Sequence, residues 1–506
     1  MKGSDDSMAQ DRLPKYVQDA LVVLSDAGAT PYVVGGAVRD TLLGKQPKDY
    51  DIASALRPEE VIEALSKNGI SVVDKLGQNF GVVVGVFDGE PVEIATFRAD
   101  VYKQTGEHKP ESVIFCNRLE DDLSRRDFTM NAMALDAKGN IIDPYRGKED
   151  VENGIIRPVG NAEQRYREDP LRMYRACRFV AQTGFMYVEQ ETGRQESSCI
   201  VYKNFWKDCK ASNLSMERVR QEMEKLLVAP YPDKGLALFM NSGLASCPCM
   251  IRGEGQQKEV TPFIALQHLD GLEQNQQYHR YDAWGHTMAA VKAAPADMWL
   301  RYTMLFHDAG KGTEGIRTYD EKGLPHDIRH ERVSAIEAEK ALNMLGYSRK
   351  DVTHVKMLVQ HHMDFLRLTH EWDMRRTKRY VRSLAGNFSN QAGLVRGLEE
   401  LESVFVADLT ASRNDLQSIN NLSWNMAYAK QFAKEHMPIH SKDLDIPGAY
   451  VRDMAQAAGI PVKDMFTGLI QRVQAENLEN TREKLVRAVQ KTVDKAQGIV
   501  KCGGRE

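Results

Sequence analysis

The chain has 506 residues, 42% of them hydrophobic, and a formal net charge of -4 at pH 7. That length exceeds a single hydrophobic core and predicts about three or four domains, while the lack of a long apolar run or a signal-peptide pattern argues against a membrane or secreted class. The charge does not mark a nucleic-acid binder, although it leaves room for a local basic face, and seven scattered cysteines predict reduced thiols in a cytoplasmic protein.

Met1 to Arg12 is polar and reads as a frayed end, and Pro14 to Ala27 has the apolar spacing of a helix. Val33-Val34 predicts a short buried strand, Gly35-Gly36 a turn, and Ala37 to Leu43 a helix. A helix start reached through glycines offers bare amides to an anion, and Arg39 adds charge for a phosphate. Lys48 to Ile52 reads as a strand whose Asp49 and Asp51, two apart, point to one face. Paired carboxylates beside a phosphate cradle point to Mg²⁺ held for phosphoryl or nucleotidyl transfer; the plainer reading is a glycine turn followed by a solvated strand edge.

Pro58 to Asn68 predicts a helix and Ile70 to Val73 a strand. Phe80 to Phe87 and Pro91 to Phe97 predict two strands joined at Asp88-Gly89, a hairpin signal. Glu93 in the second is either a surface residue of an edge strand or a third acid beside Asp49 and Asp51, and the existing pair favours the third acid. Val101 to Asp122 is charged and aperiodic, hence a loop. Arg125 to Ala132 (RRDFTMNA) is expected to open a helix, with Arg126 and Asp127 placed either to meet a triphosphate and a ribose or, for Asp127, to complement the helix dipole. Ile141-Ile142-Asp143 closes a small α/β domain at about Gly147.

Strand signals then fade. Asn161 to Gln182 reads as one long helix carrying Glu168-Asp169-Pro170-Leu171-Arg172, with Arg175 and Arg178 following at steps of three. Alone, that row is a solvated salt-bridge face. Ser215 to Leu227 and Pro232 to Ser242 are amphipathic, whereas 190 to 214 and 247 to 277 are weakly patterned connectors, the second being the better domain boundary. Cys247 and Cys249 read as ordinary small loop residues. Further on, His286 precedes the adjacent pair His307-Asp308, and His330, His361-His362 and Asp408 follow on helical segments. That joint pattern is a ligand set for a divalent metal, while His279 and Asp282 read as ordinary residues. Beyond Ala411 the chain is helical to a lysine-rich end, Arg482 to Lys501, as consistent with a solvated helix as with a nucleic-acid contact.

Taken together, the motifs over about residues 14 to 245 resemble the class II tRNA nucleotidyltransferases, the CCA-adding enzymes, and their bacterial poly(A) polymerase relatives. The resemblance implies that Asp49 and Asp51 hold two Mg²⁺ ions, with Glu93 as a third carboxylate. It places Gly35, Gly36 and Arg39 on phosphates, and Arg126 and Asp127 on phosphate and ribose. Asp169 and Arg172 would meet the Watson-Crick edge of the incoming base, supported by Arg175 and Arg178. One acceptor and one forked donor can pair with cytosine or adenine and mismatch uracil and guanine. Ser215 to Arg218 resembles the neck motif of this family, and Gly77 to Val83 its CCA-adding version rather than the polymerase one.

The second half resembles HD-domain phosphohydrolases. His286, His307, Asp308 and Asp408 match the single-metal set, and His330 with His361 or His362 the extra ligands of two-metal members. The implied metal is Mn, Fe, Ni, Co or Zn, and the implied substrates are cyclic, 2′- or 3′-phosphates at tRNA ends. The expected fold is α+β and mostly α: a nucleotidyltransferase head over 1–147, a helical neck over 148–275, an all-α HD domain over 276–415 and a helical region over 416–506. The expected partners are tRNA, CTP and ATP, with no membrane and no DNA. The rival readings are a poly(A) polymerase, a partial enzyme adding only CC or only A, and a phosphohydrolase whose head merely binds RNA.

Overall fold

A computed structural model describes residues 13–74, 81–101, 112–188, 214–253, 256–413 and 415–498. It is α+β with helices predominating. The chain forms two compact units, one of Met1–Gln267 with Met344–Gly346 and one of His268–Asn343 with Tyr347–Glu506.

The first unit opens with α1 (Lys15–Asp26), which starts behind Pro14 and buries Val17, Ala20, Leu21 and Leu24, the stripe expected of an amphipathic helix. There follow β1 (Tyr32–Val34), α2 (Gly36–Leu42), β2 (Asp51–Ser54), α3 (Pro58–Lys67), β3 (Ser71–Asp74), β4 (Val82–Phe87), β5 (Glu90–Thr96), β6 (Arg98–Val101) and β7 (Ser112–Phe115). Next come α4 (Leu119–Ser124), β8 (Ala134–Leu135), β9 (Ile141–Ile142) and α5 (Gly147–Glu152). Seven strands form one sheet in the order β3-β4-β5-β2-β1-β8-β9. Its middle is apolar, with Val33, Val34, Ile52 and Ile94 each at most 1% exposed. The β4–β5 hairpin turns at Asp88 (φ 53°) and Gly89 (φ 85°), two left-handed residues as a primed turn requires.

Three expectations need correction. The segment from 101 to 122 is not all loop: β6 and β7 pair antiparallel and α4 follows, while 102–111 lie outside the described residues. Arg125 to Ala132 does not open a helix. It leaves one, since α4 ends at Ser124 and only Thr129–Asn131 make a 3₁₀ turn. The long helix from 161 is two helices, α6 (Ala162–Glu168) and α7 (Leu171–Thr183). Pro170 lacks an amide hydrogen and forces Asp169 into extended backbone (φ -146°, ψ 100°), so the break falls inside the acidic motif.

Beyond α7, helices Met216–Leu227 and Pro232–Asn241 pack against it. The expected connector at 247–277 contains an antiparallel hairpin, Cys249–Gly253 with Gln256–Val260. Residues 1–12, 77–80 and 190–213, on which other expectations rest, lie outside the described residues.

The second unit is helical. Helices Ala283–Ala293, Met298–Phe306 and Gln391–Ser412 pack on one another, and Leu416–His436 lies against the last of these. Buried apolar residues from Leu444 to Val493 make a separate core among three further helices. Among the described residues, no helix is long and apolar enough to cross a membrane.

Candidate functional site

The acids of the first unit converge by register. β2 and β5 run parallel with Asp51 opposite Glu93, which puts both side chains on one face. The strand begins only at Asp51, so Asp49 belongs to its lead-in; yet Tyr50 is buried between two exposed aspartates, and the predicted alternation holds. Packing around its carboxyl, then the charges of Glu93 and Asp49, push the Asp51 pKa up to about 6 against the pull of Arg126. Three oxygen donors that repel one another fit a hard divalent cation such as Mg²⁺.

Beside them Gly35 has φ 75°, and a side chain there would approach Arg126 Nη1 to 3.1 Å. Glycine keeps that turn open and left-handed. Arg126 Nη2 donates to Asp122 at 3.0 Å, while its Nε is buried and has no hydrogen-bond partner among the described residues, a donor suited to an anion. Arg39 donates from Nη1 to Asn131 at 2.8 Å and from Nε to Asp40 at 2.9 Å. Asp122 takes both Arg125 and Arg126, and although burial opposes its charge these arginines hold its pKa below the usual range. Sequence reasoning passed over Asp122, whose signal was its place three and four residues before two arginines.

The arginine row is not a solvated face. Arg178 pairs with buried Glu222 and lies 3.9 Å from the Phe179 ring, which also faces Arg39 and Arg175. Arg175 binds Asp127 at 2.6 Å. Asp127 also accepts from the Phe128 amide and from Asn131, so its oxygens are committed within the protein rather than presented to a ribose. Burial pushes its carboxyl up, but Arg175 outweighs that and brings it to about 2. The pair is therefore intact above the ordinary aspartate pKa and is lost only as pH falls through about 2. Asp127→Asn should cost about 2 kcal/mol of stability at pH 7 by removing the nearer of the two carboxylates that face Arg175, leaving it Glu222 at 3.8 Å. Denaturant unfolding measures it, and a loss under about 0.5 kcal/mol would refute the account.

The presumed base-reading residues are each held. Asp169 accepts from Arg218 at 2.7 Å and from the Leu171 amide at 3.1 Å. Arg172 donates to Glu168 at 2.8 Å and to the carbonyls of Arg165 and Arg125. Asp169 and Arg172 thus have separate partners, and Arg218, which the neck motif supplied without a role, is the cation on Asp169.

In the second unit His286 (helix 283–293), His307 at the end of helix 298–306 and Asp408 (helix 391–412) form one buried triad, and Asp308, His330 and His362 a second. His286 Nε2 lies 3.1 Å from His307 Nε2 and 3.2 Å from Asp408. His330 Nε2 lies 3.1 Å from His362 Nε2 and 3.0 Å from Asp308 Oδ1, while Asp308 Oδ2 is 3.3 Å from His307. Asp308 thus faces both triads. The Nδ1 atoms of His307, His330 and His362 each donate at 2.7 Å to a backbone carbonyl, of Met304, Asp327 and Val359, which turns their Nε2 lone pairs toward one another. Such facing lone pairs and carboxylates fit cations of the imidazole-binding kind.

Of the two alternatives His361 and His362, only His362 joins the cluster; His361 pairs with Asp364. Lys311, missed in the sequence although a helical turn after Asp308, binds that carboxylate at 2.8 Å. A cavity of about 720 Å³ reaches Asp308, His330 and Asp408 and is lined also by Lys311, Arg329 and Arg413. His279 lies in its wall, kept neutral by burial and then by Lys311 and His286, with its pKa lowered to about 3. Asp282 caps helix 283–293.

Residues 31–157 match the Poly A polymerase head domain and 210–247 the "Probable RNA and SrmB- binding site of polymerase A". CCA-adding enzymes from Geobacillus thermodenitrificans and Leuconostoc mesenteroides are 42% and 43% identical over 44% and 56% of the chain, covering 52% and 65% of those proteins. The chain thus spans about half the length of the first curated relatives it matches. The Bacillus stearothermophilus CCA-adding enzyme in complex with CTP superposes with a TM-score of 0.64 at 25% identity, over 96% of this chain and 100% of that one. The Thermotoga maritima CCA-adding enzyme complexed with tRNA shares the fold, at a TM-score of 0.56 and 17% identity over 97% and 99%. The chain therefore carries a Poly A polymerase head domain within the fold of the CCA-adding enzymes.

Proposed function

We propose that this chain adds CCA to tRNA 3′ ends from CTP and ATP. The observation that carries the reading is the register of Asp51 against Glu93, with Asp49 beside them and the Gly35 turn and Arg126 at hand. Asp49, Asp51 and Glu93 would hold Mg²⁺, which when bound neutralises the triphosphate and lowers the pKa of the primer 3′-hydroxyl. Arg39 and the uncommitted Nε of Arg126 meet the phosphates over the amides of α2. Asp127 positions Arg175. Asp169, held in place by Arg218, accepts from the exocyclic amine of cytosine or adenine, and Arg172 supplies the donor.

The second unit is proposed to be a metal-dependent phosphohydrolase centre of HD type. His286, His307 and Asp408 would hold one transition-metal ion and His330, His362 and Asp308 another, with phosphates at RNA ends as the substrate class. Lys311 and Arg329 offer positive charge to such a phosphate in the adjoining cavity. The favouring observation is the set of three Nδ1 donors locked on carbonyls, which aims the Nε2 atoms at one another and at Asp308.

The test is purified protein with Mg²⁺ and three tRNA transcripts, ending before CCA, after C and after CC, each given CTP, ATP, UTP or GTP alone and together. The expected result is C, C and then A, followed by a stop. Long A tails on unrelated RNA, or addition of CC or A alone, would replace the reading with its rivals, and no addition would leave the metal cluster as the working site.

A further inference from the structure

The sequence from Arg367 to Arg382 carries six lysines and arginines against two acids. Its helix, Met374–Leu384, is capped by Asp373 and buries Thr377, Tyr380, Val381 and Leu384, so its cations are driven outward. Three acids answer part of this charge: Glu476 takes Lys378 and Arg382, Asp373 lies 3.6 Å from Arg376, and Asp364 lies 3.7 Å from Arg367. Arg375 and Arg379 are exposed and make no ion pair among the described residues.

Two basins flank the helix and share Arg379. One, of about 510 Å³, is lined by Arg367, His370, Arg376, Arg379, Tyr380 and Ser383, with no acid in its wall among the described residues. The Tyr380 hydroxyl is buried and has no hydrogen-bond partner among the described residues. Three guanidiniums, an imidazole and an unused hydroxyl suit a phosphate, and the basin far exceeds one such ion. The surroundings choose between a free anion and a polymer. Trp372 is 52% exposed and sets its ring against Tyr428, and Trp424, one helical turn before Tyr428, is 73% exposed. Guanidiniums tracking phosphates beside open indole faces are what unpaired nucleotides need.

We propose that the outer face of helix Met374–Leu384, with Arg367, Arg376 and Arg379 on backbone phosphates and Trp372 and Trp424 as stacking platforms, is an RNA-binding surface of the second unit. It rests on the reading that the substrate is an RNA, and names a surface made of residues outside either proposed reaction centre. Tyr380 supplies a neutral donor to the same phosphate track.

The test measures binding of the full chain to a labelled tRNA transcript ending before CCA, at several salt concentrations, with first-turnover CTP incorporation at saturating tRNA alongside. Arg376→Ala/Arg379→Ala should bind at least about tenfold more weakly, with the log–log salt slope lowered by about two, one per lost phosphate contact. Tyr380→Phe should weaken binding without changing the slope. Incorporation at saturation should be unchanged, and Arg487→Ala, on the exposed pair with Glu483, should bind as the parent does. Arg379→Glu alone, at an exposed position, should repeat the loss and guards against misfolding of the double variant. Parental affinity and slope in both arginine variants would overturn the proposal, as would a loss seen only for phosphatidylserine vesicles. If CCA addition fails in the parent while the arginine-dependent slope remains, the surface stands and the proposed reaction falls. If addition proceeds and binding ignores these arginines, the surface alone is wrong.

Discussion

Asp51→Asn should lower nucleotide incorporation by at least about a thousandfold, a barrier change of about 4 kcal/mol, while leaving tRNA binding within about twofold. Asp51 is the carboxylate that the sheet holds beside Glu93, and it feels Asp49 as well. Amide for carboxylate keeps the shape and removes one charge from the trio, so the loss falls on holding Mg²⁺ rather than on folding. The sign of the stability change separates this reading from a structural one. Because packing around its carboxyl, and then the charges of Glu93 and Asp49, raise the Asp51 pKa, its charge works against the folded state when no cation is present. The variant should therefore melt no lower than the parent in EDTA, and Mg²⁺ should raise its melting temperature less. Single-turnover incorporation and thermal melts with and without Mg²⁺ decide the matter. Parental incorporation would remove the trio from the reaction, and a sharp drop in melting temperature in EDTA would make Asp51 a structural residue.

What the sequence showed well was whatever depends on local periodicity. The strand at Val33-Val34, the glycine turn, the hairpin at Asp88-Gly89 and the alternation around Tyr50 all follow from side-chain period and turn chemistry. Glu93 needed pairing information: its standing as a third acid depends on β5 lying parallel to β2, with Glu93 opposite a residue 42 positions earlier in the chain. The acidic motif misled because a helical run of charges outweighed one proline, yet Pro170 decides the local backbone and sets Asp169 free of both helices. The partners of the arginines were invisible for a related reason. Glu222 and Arg218 sit on a helix some 50 residues downstream, and only the packing of Met216–Leu227 on α7 brings them to Arg178 and Asp169. In the second unit the adjacent pair His307-Asp308 was legible as chemistry, but the choice between His361 and His362 turns on where helix 349–361 ends. His362 begins the 3₁₀ turn after it and faces inward, whereas His361 faces Asp364.

Asp308→Asn should reduce bound transition metal from two ions per chain to fewer than one after dialysis, and leave CTP incorporation by the head within about twofold of the parent. One oxygen of Asp308 lies 3.0 Å from His330 Nε2 and the other 3.3 Å from His307 Nε2, so a single carboxylate closes both triads. An asparagine offers one oxygen and turns an amide NH₂ toward the other ring nitrogen. That group cannot ligate, and its charge is gone. Lys311, 2.8 Å from the same carboxylate, would keep Gln274 at 2.7 Å, which limits the structural damage. Elemental analysis after loading with Mn²⁺, Ni²⁺ or Co²⁺ gives the stoichiometry, and thermal melts give a second readout: a chelator should lower the melting temperature of the parent and leave the variant unmoved. Two ions retained by the variant would show that neither ion needs Asp308. No metal in the parent under any loading would leave six converging side chains as a buried polar network, with Lys311 as its counter-charge. Loss of metal together with loss of CTP incorporation would tie the two reactions to one another, contrary to the independence expected of two sites built on separate residues.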